Sequence, residues 1–252
     1  MFKKILASVG IGNAKVDTQL EHTELVPGGP VRGKIIVQGG NTEQHVEKIQ
    51  LFLMTEVVQE KDGRSYHEDM VLDFFVIGSS FTIGEGDWKE IDFHFTLPIH
   101  TPPTMGKTKV WIQTGMDVPN AIDPTDRDFI KISPHPYMET ALLAVTDHLG
   151  FGLREVEMEY SRRYRYIQEF EFLPMNEFRQ DLDELEAMFF VKPNGLDIIL
   201  QIDRRAKGLG GLFAEALEID EKFVRIRFSS AELDKGPAYI ADRLRETIEQ
   251  YC

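Results

Sequence analysis

The sequence predicts a mainly β protein with two β-sandwich-like domains in tandem, one helix after the linker and one helix at the C-terminus. Three observations support this prediction. Short stretches alternate apolar and polar residues, which is the period of a half-buried β-strand. Gly- and Pro-rich turns separate these stretches at regular intervals, as in antiparallel sandwiches. The chain has 252 residues, which is long enough for two domains.

The first domain is predicted to cover residues 1–133. Its clearest strand is EIDFHFTLP, in which Ile91, Phe93, Phe95 and Leu97 share one face. Prolines follow this strand and end it, because proline cannot donate a hydrogen bond to a central ladder. Further strands are predicted in KVDTQLEH, VRGKIIVQ, EKIQLFLMTEVVQE, HEDMVLDFFVI and KVWIQTGMDV.

Glycines cluster around one of these strands, in VPGGPVRGKIIVQGG at residues 26–40. Such a stretch raises the alternative of a phosphate-binding loop. A P-loop carries GxxxxGK[ST] between a strand and a helix, and that pattern is absent here. We therefore interpret the glycines as turn residues, which supply the positive φ angles that tight sheet corners need.

The second domain is predicted to cover residues 134–252 and to be β-rich with flanking helices. SPHP forms the connector, and Pro136 suits the first turn of a helix. The buried stripe of this helix is predicted to be Met138, Ala141, Leu142, Val145 and Leu149. Asn194-Gly195 is a hairpin signal between two later strands. A closing helix follows Gly236-Pro237. Its buried stripe is predicted to be Ile240, Leu244 and Ile248.

The first residues of the chain also have helical spacing. Phe2, Ile5, Leu6 and Val9 follow the i, i+3, i+4, i+7 pattern, so residues 2–11 are predicted to form a short amphipathic helix. We expect this helix to pack on its own domain. The alternative is reversible contact with an anionic membrane. The candidate contact residues are Phe2, Lys3, Lys4, Ile5 and Leu6. The apolar run is short for a signal peptide, so we expect no export.

Charge and cysteine content make two classes of protein improbable. The formal net charge is −14 and the pI is about 5.0, whereas a nucleic-acid-binding surface usually needs a basic excess. The single cysteine, Cys252, permits neither an intrachain disulfide nor a Cys₄ zinc site. We therefore expect a cytoplasmic protein, in part peripheral to the membrane if the N-terminal helix binds lipid, without nucleic acid as a partner.

No motif predicts catalysis, a bound metal or a cofactor. The seven histidines lack ligand spacing, and the GxSxG nucleophile motif is absent. The best metal candidate is NAIDPTDRDF, with Asp123, Asp126 and Asp128, but it lacks the spacing and the mid-loop glycine of an EF-hand. We interpret this stretch as a capped turn that leads into a strand, FIKI.

Two basic segments are candidate protein-contact patches. RRAKGLGG joins Arg204, Arg205 and Lys207 to a glycine loop, which would suit an anionic partner. YSRRYRYIQ interleaves arginine with tyrosine. Nucleic-acid surfaces share that pattern, but in an acidic chain we interpret it as the charged outer face of a strand.

Several separated motifs resemble known families. A Gly-Gly turn followed by V-x-G-x-I-x-V, and a strand that ends in Leu-Pro, resemble an arrestin-like domain. Over nearly the whole chain, four segments resemble the bacterial sporulation-control proteins of the sporulation stage-zero M family. They are FKKILASVGIGNAKVDTQLEHTELVPGGPVRGKIIVQGG, IQLFLMTE, NAIDPTDRDFIKISPHP and RRAKGLGGLFAEALEIDE.

The resemblance implies an arrestin-like first domain and a regulatory role in early sporulation, or in a related stress or cell-division process. It also makes Asp126, Arg127 and Asp128 candidates for an interdomain polar network. We therefore expect a non-enzymatic cytoplasmic adaptor or scaffold that contacts other proteins through exposed sheet edges and long loops. Two alternatives stay open. One is a peripheral membrane protein that uses the N-terminal helix, and the other is a small-ligand-binding β-sandwich, which would need a cavity.

Overall fold

The computed structural model describes residues 13–61, 63–119, 125–203 and 223–251. These residues are mostly strands with few helices, which confirms the predicted fold class. The chain divides into two compact units. Unit 1 comprises Met1–Thr55, Met70–Pro98 and Lys109–Ile132, and unit 2 comprises Glu56–Asp69, Ile99–Thr108 and Ser133–Cys252. Two segments from the first 133 residues therefore belong to unit 2, so neither unit is one continuous stretch.

Unit 1 contains mainly antiparallel sheets. Its strands are β1 (Lys15–Leu20), β2 (Glu24–Leu25), β3 (Pro30–Gln38), β4 (Gln44–Val46), β5 (Lys48–Lys61), β6 (Arg64–Ile77), β7 (Phe81–Ile83), β8 (Trp88–Thr96), β9 (Val110–Asp117) and β10 (Thr125–Ile132). One sheet has the order β1-β3-β8, and another has the order β5-β9-β10-β2. β4 pairs with β7, and β6 pairs with β5. The short strand β2 pairs in parallel with β10. The last residues of β5 and the first of β6 belong to unit 2.

The glycine-rich stretch forms a turn and a strand. Gly28 has a φ of +82°, and its N–H donates to the Leu97 carbonyl over 2.8 Å. Gly33 lies in β3 between β1 and β8. A Cβ atom at Gly33 would come within 2.3 Å of the Gln19 carbonyl oxygen, so the backbones approach too closely for any side chain. This geometry leaves no room for a phosphate at Gly33.

Alternating apolar residues of unit 1 form its core. Those fully buried include Ile35, Val37, Ile49, Leu51, Leu53 and Leu97. Each contributes about 1.5–3 kcal/mol relative to an exposed position. The hydroxyls of Thr18 in β1 and Thr114 in β9 share a buried hydrogen bond of 2.6 Å, so the two sheets face each other. The arrestin-like character of this unit stays a prediction.

Unit 2 contains an antiparallel sheet with the order β15-β14-β13-β12-β11. Its strands are β11 (Phe151–Ser161), β12 (Arg165–Pro174), β13 (Glu184–Lys192), β14 (Gly195–Asp203) and β15 (Phe223–Ser229). Its helices are α1 (Pro136–Leu143), which continues as a π-helical turn (Ala144–His148), α2 (Ser230–Leu233) and α3 (Pro237–Glu249). In the described residues, these helices lie on one face of the sheet, where a sandwich would have a second sheet.

The helices bury the residues that the sequence predicts. The stripe of α1 and its π-helical turn is buried at Met138, Ala141, Leu142, Val145 and Leu149. The stripe of α3 is buried at Ile240, Leu244 and Ile248. His135 caps α1, because its Nδ1 accepts from the Tyr137 N–H at 3.1 Å. Gly150, with a φ of +71°, ends the turn. No helix among the described residues is long and apolar enough to cross a membrane.

Candidate functional site

The structure describes only one of the predicted groups of site residues. The N-terminal candidates, Phe2, Lys3, Lys4, Ile5 and Leu6, and the loop candidates, Arg204, Arg205 and Lys207, lie outside the described residues. Asp126, Arg127 and Asp128 lie inside strand β10, so the predicted turn at these positions is wrong. The cause is tertiary pairing: Asp126 lies opposite Thr114 and Asp128 opposite Ile112 in β9.

Asp126 and Asp128 lie on the inward face of β10, toward strand β1. One carboxylate oxygen of Asp126 accepts from the Thr18 N–H at 2.7 Å, and the other accepts from the Arg127 N–H at 2.9 Å. Oδ2 of Asp128 is buried and has no hydrogen-bond partner among the described residues. Burial first, and then the nearby carboxylates of Asp126 and Asp17, raise the pKa of Asp128 to about 6.

Arg127 points to the opposite face of β10, because side chains alternate along a strand. Its guanidinium carbon lies 4.6 Å from the centre of the Trp111 ring, and Nη2 donates to Oε1 of Gln113 over 3.4 Å. The three predicted residues therefore separate into an inward carboxylate pair and an outward cation. The contacts named here all lie within unit 1, and the interdomain role stays a prediction.

The larger polar surface is on unit 2, on the sheet face opposite the helices, which we call the outer face. Half-buried glutamates crowd one corner of it: Glu155, Glu157, Glu159, Glu169, Glu171, Glu184 and Glu186. Cross-strand neighbours include Glu157 with Glu169 and Glu171 with Glu186. Directly opposed like charges destabilise a sheet, and this repulsion favours the protonated form of a carboxyl that is also buried.

Two carboxyls of this acidic corner, Glu169 and Glu184, have raised pKa values. Burial first and the neighbouring glutamates second raise the pKa of Glu169 to about 10. The pKa of Glu184 rises to about 7, first through burial and then through a hydrogen bond with Glu171. Two cations offset part of the repulsion. Arg154 pairs with Glu171 and Glu184, and Lys107 pairs with Glu155 and Glu157.

Cations gather at the opposite corner of the same face. This basic corner consists of Arg162, Arg163, Arg165, Lys192, Arg225 and Arg227, all exposed. Aromatic side chains lie beside it. The rings of Tyr164 and Phe190 are 5.1 Å apart, and Nη2 of Arg225 donates to the Tyr164 hydroxyl over 3.0 Å. Ile167, Met188 and Ile199 form a small buried cluster under these rings. The outer face is therefore polarised, with an apolar band between its two corners.

A cavity of about 220 Å³ opens beside the basic corner. It lies where strands β12 and β13 diverge. Their ladder joins only Phe170–Phe172 with Leu185–Ala187, whereas β12 stays paired with β11 as far as Arg165, and β13 with β14 as far as Lys192. Tyr164, Tyr166, Ile167, Gln168, Phe189, Phe190, Val191 and Lys192 line the gap, together with Met138 and the segment 99–103. Its walls are mainly apolar, and none of the described residues that line it is a carboxylate.

The segment at the edge of the cavity is fixed by one side chain. Nε2 of Gln168 donates to the Pro103 carbonyl and to the Thr108 hydroxyl, each over 2.8 Å. Among the described residues, no group of three or more His, Cys, Asp or Glu has an arrangement that could hold a metal ion. What the geometry offers is therefore a charged surface with an apolar recess.

Comparison with known proteins identifies the family. The sequence model of the family described as SpoOM protein matches residues 2–206. The chain belongs to the SpoOM family. It is 41% identical over 256 residues to the sporulation-control protein spo0M of Bacillus subtilis (strain 168), and the match covers 100% of this chain and 98% of that protein. The resemblance stated from the sequence motifs is confirmed.

Solved structures support the same assignment of the fold. The crystal structure of Spo0M from Bacillus subtilis has a TM-score of 0.88 and 40% identity, and covers 96% of this chain and 100% of that one. A β-glucosidase from Listeria innocua reaches a TM-score of only 0.29 at 12% identity, over 49% of this chain and 16% of that one, and supports no argument.

Sequence reasoning on this SpoOM-family chain found one part of the outer face. YSRRYRYIQ was singled out as a contact patch, and three arginines of the basic corner come from it. The other three cations, Lys192, Arg225 and Arg227, stand on strands far away in sequence. A signal was present, because Arg225 and Arg227 alternate with apolar residues in FVRIRFS. The position of Arg225 and Arg227 beside Tyr164 depends on the order of the strands in the sheet. Alternation of apolar and polar residues does not predict that order.

Proposed function

We propose that this SpoOM-family protein is a non-enzymatic cytoplasmic adaptor that regulates sporulation through contacts with other proteins. Full-length identity of 41% to a sporulation-control protein supports the regulatory role. The adaptor role is carried by one observation: the outer face of unit 2 presents six exposed cations beside half-buried aromatic rings, and two residues of this corner, Tyr164 and Lys192, also line an apolar cavity between strands β12 and β13. Arginine and tyrosine are enriched at the centres of protein interfaces.

A small-ligand-binding function is the second candidate, because it needs a cavity and the structure contains one. The cavity holds about 220 Å³, which is smaller than the roughly 300–1,000 Å³ typical of small-molecule sites. It is large enough for a single bulky side chain. Its size, and the fact that Tyr164 and Lys192 of the basic corner line it, therefore favour a protein partner.

The experiment that tests the proposal is replacement in Bacillus subtilis of the gene for the spo0M relative by the gene for this chain. We expect spore counts and the timing of sporulation to be restored relative to the deletion strain. In-cell cross-linking of the complementing protein, followed by mass spectrometry, should recover partners whose own depletion changes sporulation. A control chain carries Arg179→Glu and Lys131→Glu, two substitutions at exposed residues that are not part of the outer face.

The proposal fails if the purified protein turns over a small molecule and loss of that activity accounts for the deletion phenotype. It also fails if this chain is produced at the normal level and leaves sporulation as defective as in the deletion strain.

A further inference from the structure

The basic corner and the neighbouring cavity form one continuous surface. Lys192 belongs to the basic corner and also lines the cavity, and Tyr164 lines the cavity while it binds Arg225. We infer that this surface binds an extended acidic peptide of a partner protein, which inserts one aromatic side chain into the cavity. This inference rests on the proposed adaptor function and names the chemistry of the partner.

Charge indicates that the peptide is acidic. The chain carries 42 acidic residues against 28 basic ones, yet six cations share this corner, and no carboxylate from the described part of the chain lines the cavity. Among the described residues of the outer face, Asp197 lies opposite Arg227 in the β14–β15 ladder, and Glu159 lies opposite Ile167 in the β11–β12 ladder. The corner therefore keeps a net positive charge, and charge complementarity favours an anionic partner.

The spacing of the cations favours an extended chain. Arg225 and Arg227 are two residues apart on one strand and point to the same face, so their stems are separated by about 6.7 Å. Residues i and i+2 of an extended peptide have the same separation. Acidic residues at alternate positions of such a peptide would each meet an arginine. In a helix, residues that share a face are three or four positions apart, so alternate residues would point in different directions.

The cavity indicates what the peptide carries between its acidic residues. A dry apolar cavity of about 150 Å³ holds a benzene ring, and this cavity holds about 220 Å³. The rings of Tyr164, Phe189 and Phe190 border it, and aromatic pairs prefer the tilted and edge-to-face geometries that such walls offer. A phenylalanine or tryptophan side chain fits this description. The gap between β12 and β13 gives it access between the two strands.

The test uses the full-length protein and a fluorescein-labelled synthetic peptide with the sequence EDEFEDE, measured by fluorescence anisotropy. Two further peptides serve as probes: one has alanine in place of phenylalanine, and one has lysine in place of every acidic residue. The protein variant carries Lys192→Glu and Arg227→Glu. Its matched control carries Arg179→Glu and Lys131→Glu, which change the net charge equally and lie away from the outer face. Circular dichroism melts verify that both variants fold.

We expect the acidic peptide to bind the wild type and the matched control alike. The Lys192→Glu, Arg227→Glu variant should bind it at least tenfold more weakly, and the peptide without phenylalanine should lose at least tenfold on the wild type. The lysine peptide should not bind the corner. Equal binding by all three proteins, or no binding by the wild type, would overturn the inference.

Two other partners give different results. In one such result, the wild type fails to bind the acidic peptide but pellets with phosphatidylglycerol vesicles, or shifts a single-stranded DNA in a gel. If the corner variant then does neither, the corner contacts lipid or nucleic acid, and the inference is wrong. The adaptor proposal is tested separately by complementation and cross-linking. Failure of the wild type to bind the acidic peptide, together with normal complementation, would overturn the inference and leave the adaptor proposal standing.

Discussion

Replacement of Glu169 by glutamine should stabilise the protein at neutral and alkaline pH. Oε2 of this carboxyl is buried, and its pKa is raised to about 10 by burial first and by the surrounding glutamates second. A carboxyl whose pKa is higher in the folded than in the unfolded state binds more protons when folded. Its contribution is therefore most favourable below pH 4.5 and is lost as the pH rises toward 10. Glutamine keeps the shape of the protonated acid and removes this dependence.

The size of the effect follows from the two pKa values. At pH 7 the unfolded carboxyl, with an ordinary pKa of 4.5, is ionised, while the folded one is protonated. Each pH unit between 4.5 and 7 lowers the free energy of unfolding of the wild type by about 1.4 kcal/mol. The upper bound on the stabilisation by Glu169→Gln at pH 7 is therefore about 3 kcal/mol. Neighbouring glutamates share protons with Glu169, so we expect about 2 kcal/mol. For a chain of this size that corresponds to a rise in Tm of about 4–8 °C.

The assay is thermal unfolding followed by circular dichroism at pH 4.5, 7 and 8.5, with exposed Glu249→Gln as the control. The Glu169→Gln variant should melt with the wild type at pH 4.5, above it at pH 7, and further above it at pH 8.5. The control should match the wild type throughout. A variant that is less stable by the same amount at every pH would refute the reasoning, because it would mean that an ionised carboxylate makes a favourable contact there.

Three further predictions concern other parts of the chain. Asp128→Asn should raise the Tm at pH 7.5 and leave it unchanged at pH 4. The pKa of Asp128 is raised to about 6 in the folded state, so its ionisation above that pH destabilises the fold. A lower Tm at both pH values would contradict this prediction. Gly33→Ala should lower the free energy of urea unfolding by about 3 kcal/mol, since its Cβ would meet the Gln19 carbonyl oxygen at 2.3 Å. Gly115→Ala should lower it clearly less, because the atom nearest to its Cβ belongs to the side-chain ring of Phe52. Equal losses in the two variants would refute the steric argument. Ile5→Asp with Leu6→Asp should lower the Tm by several degrees without changing sedimentation with anionic liposomes. An unchanged Tm with loss of liposome sedimentation would instead mean that the N-terminus is a membrane anchor.

The sequence predicts the elements of this fold best where one face is buried. Burial of Met138 and Leu142 in α1, and of Ile240 and Leu244 in α3, follows from their helical spacing. Period-two alternation likewise predicts that Ile35 and Val37 are inside β3. These patterns are local, because the side that faces the core is set by the periodicity of the element itself.

Strand β10 shows where local patterns fail. An Asp-Pro-Thr-Asp run is typical of a turn, yet Asp126 and Asp128 are in a strand. Pairing with β9 supplies the backbone hydrogen bonds, and the Thr18 N–H supplies a donor for Asp126. Both partners are distant in sequence. The propensity of these residues for turns is weak enough for such tertiary contacts to override it.

The polarised outer face could not be predicted for a related reason. Alternation reveals that Glu157 and Arg225 are not in the apolar core, but not that they occupy opposite corners of one surface. That result depends on register: Glu157 lies opposite Glu169, and Arg225 lies opposite Ile199. A shift of one residue in either ladder would move a charge to the helix-covered face. The candidate site is therefore a property of strand order as much as of composition.

The separation of acidic and basic corners on the outer face also determines how binding of an acidic peptide depends on salt. The net charge of −14 repels an acidic peptide at long range. At physiological ionic strength, charges farther away than about 8 Å are largely screened. The peptide then experiences mainly the cations nearest to it, Lys192, Arg225 and Arg227, and not the distant glutamates. Lower salt restores the long-range repulsion together with the local attraction, so the two effects oppose each other. Association at the basic corner should therefore depend less on salt than association of the same peptide with a uniformly basic protein.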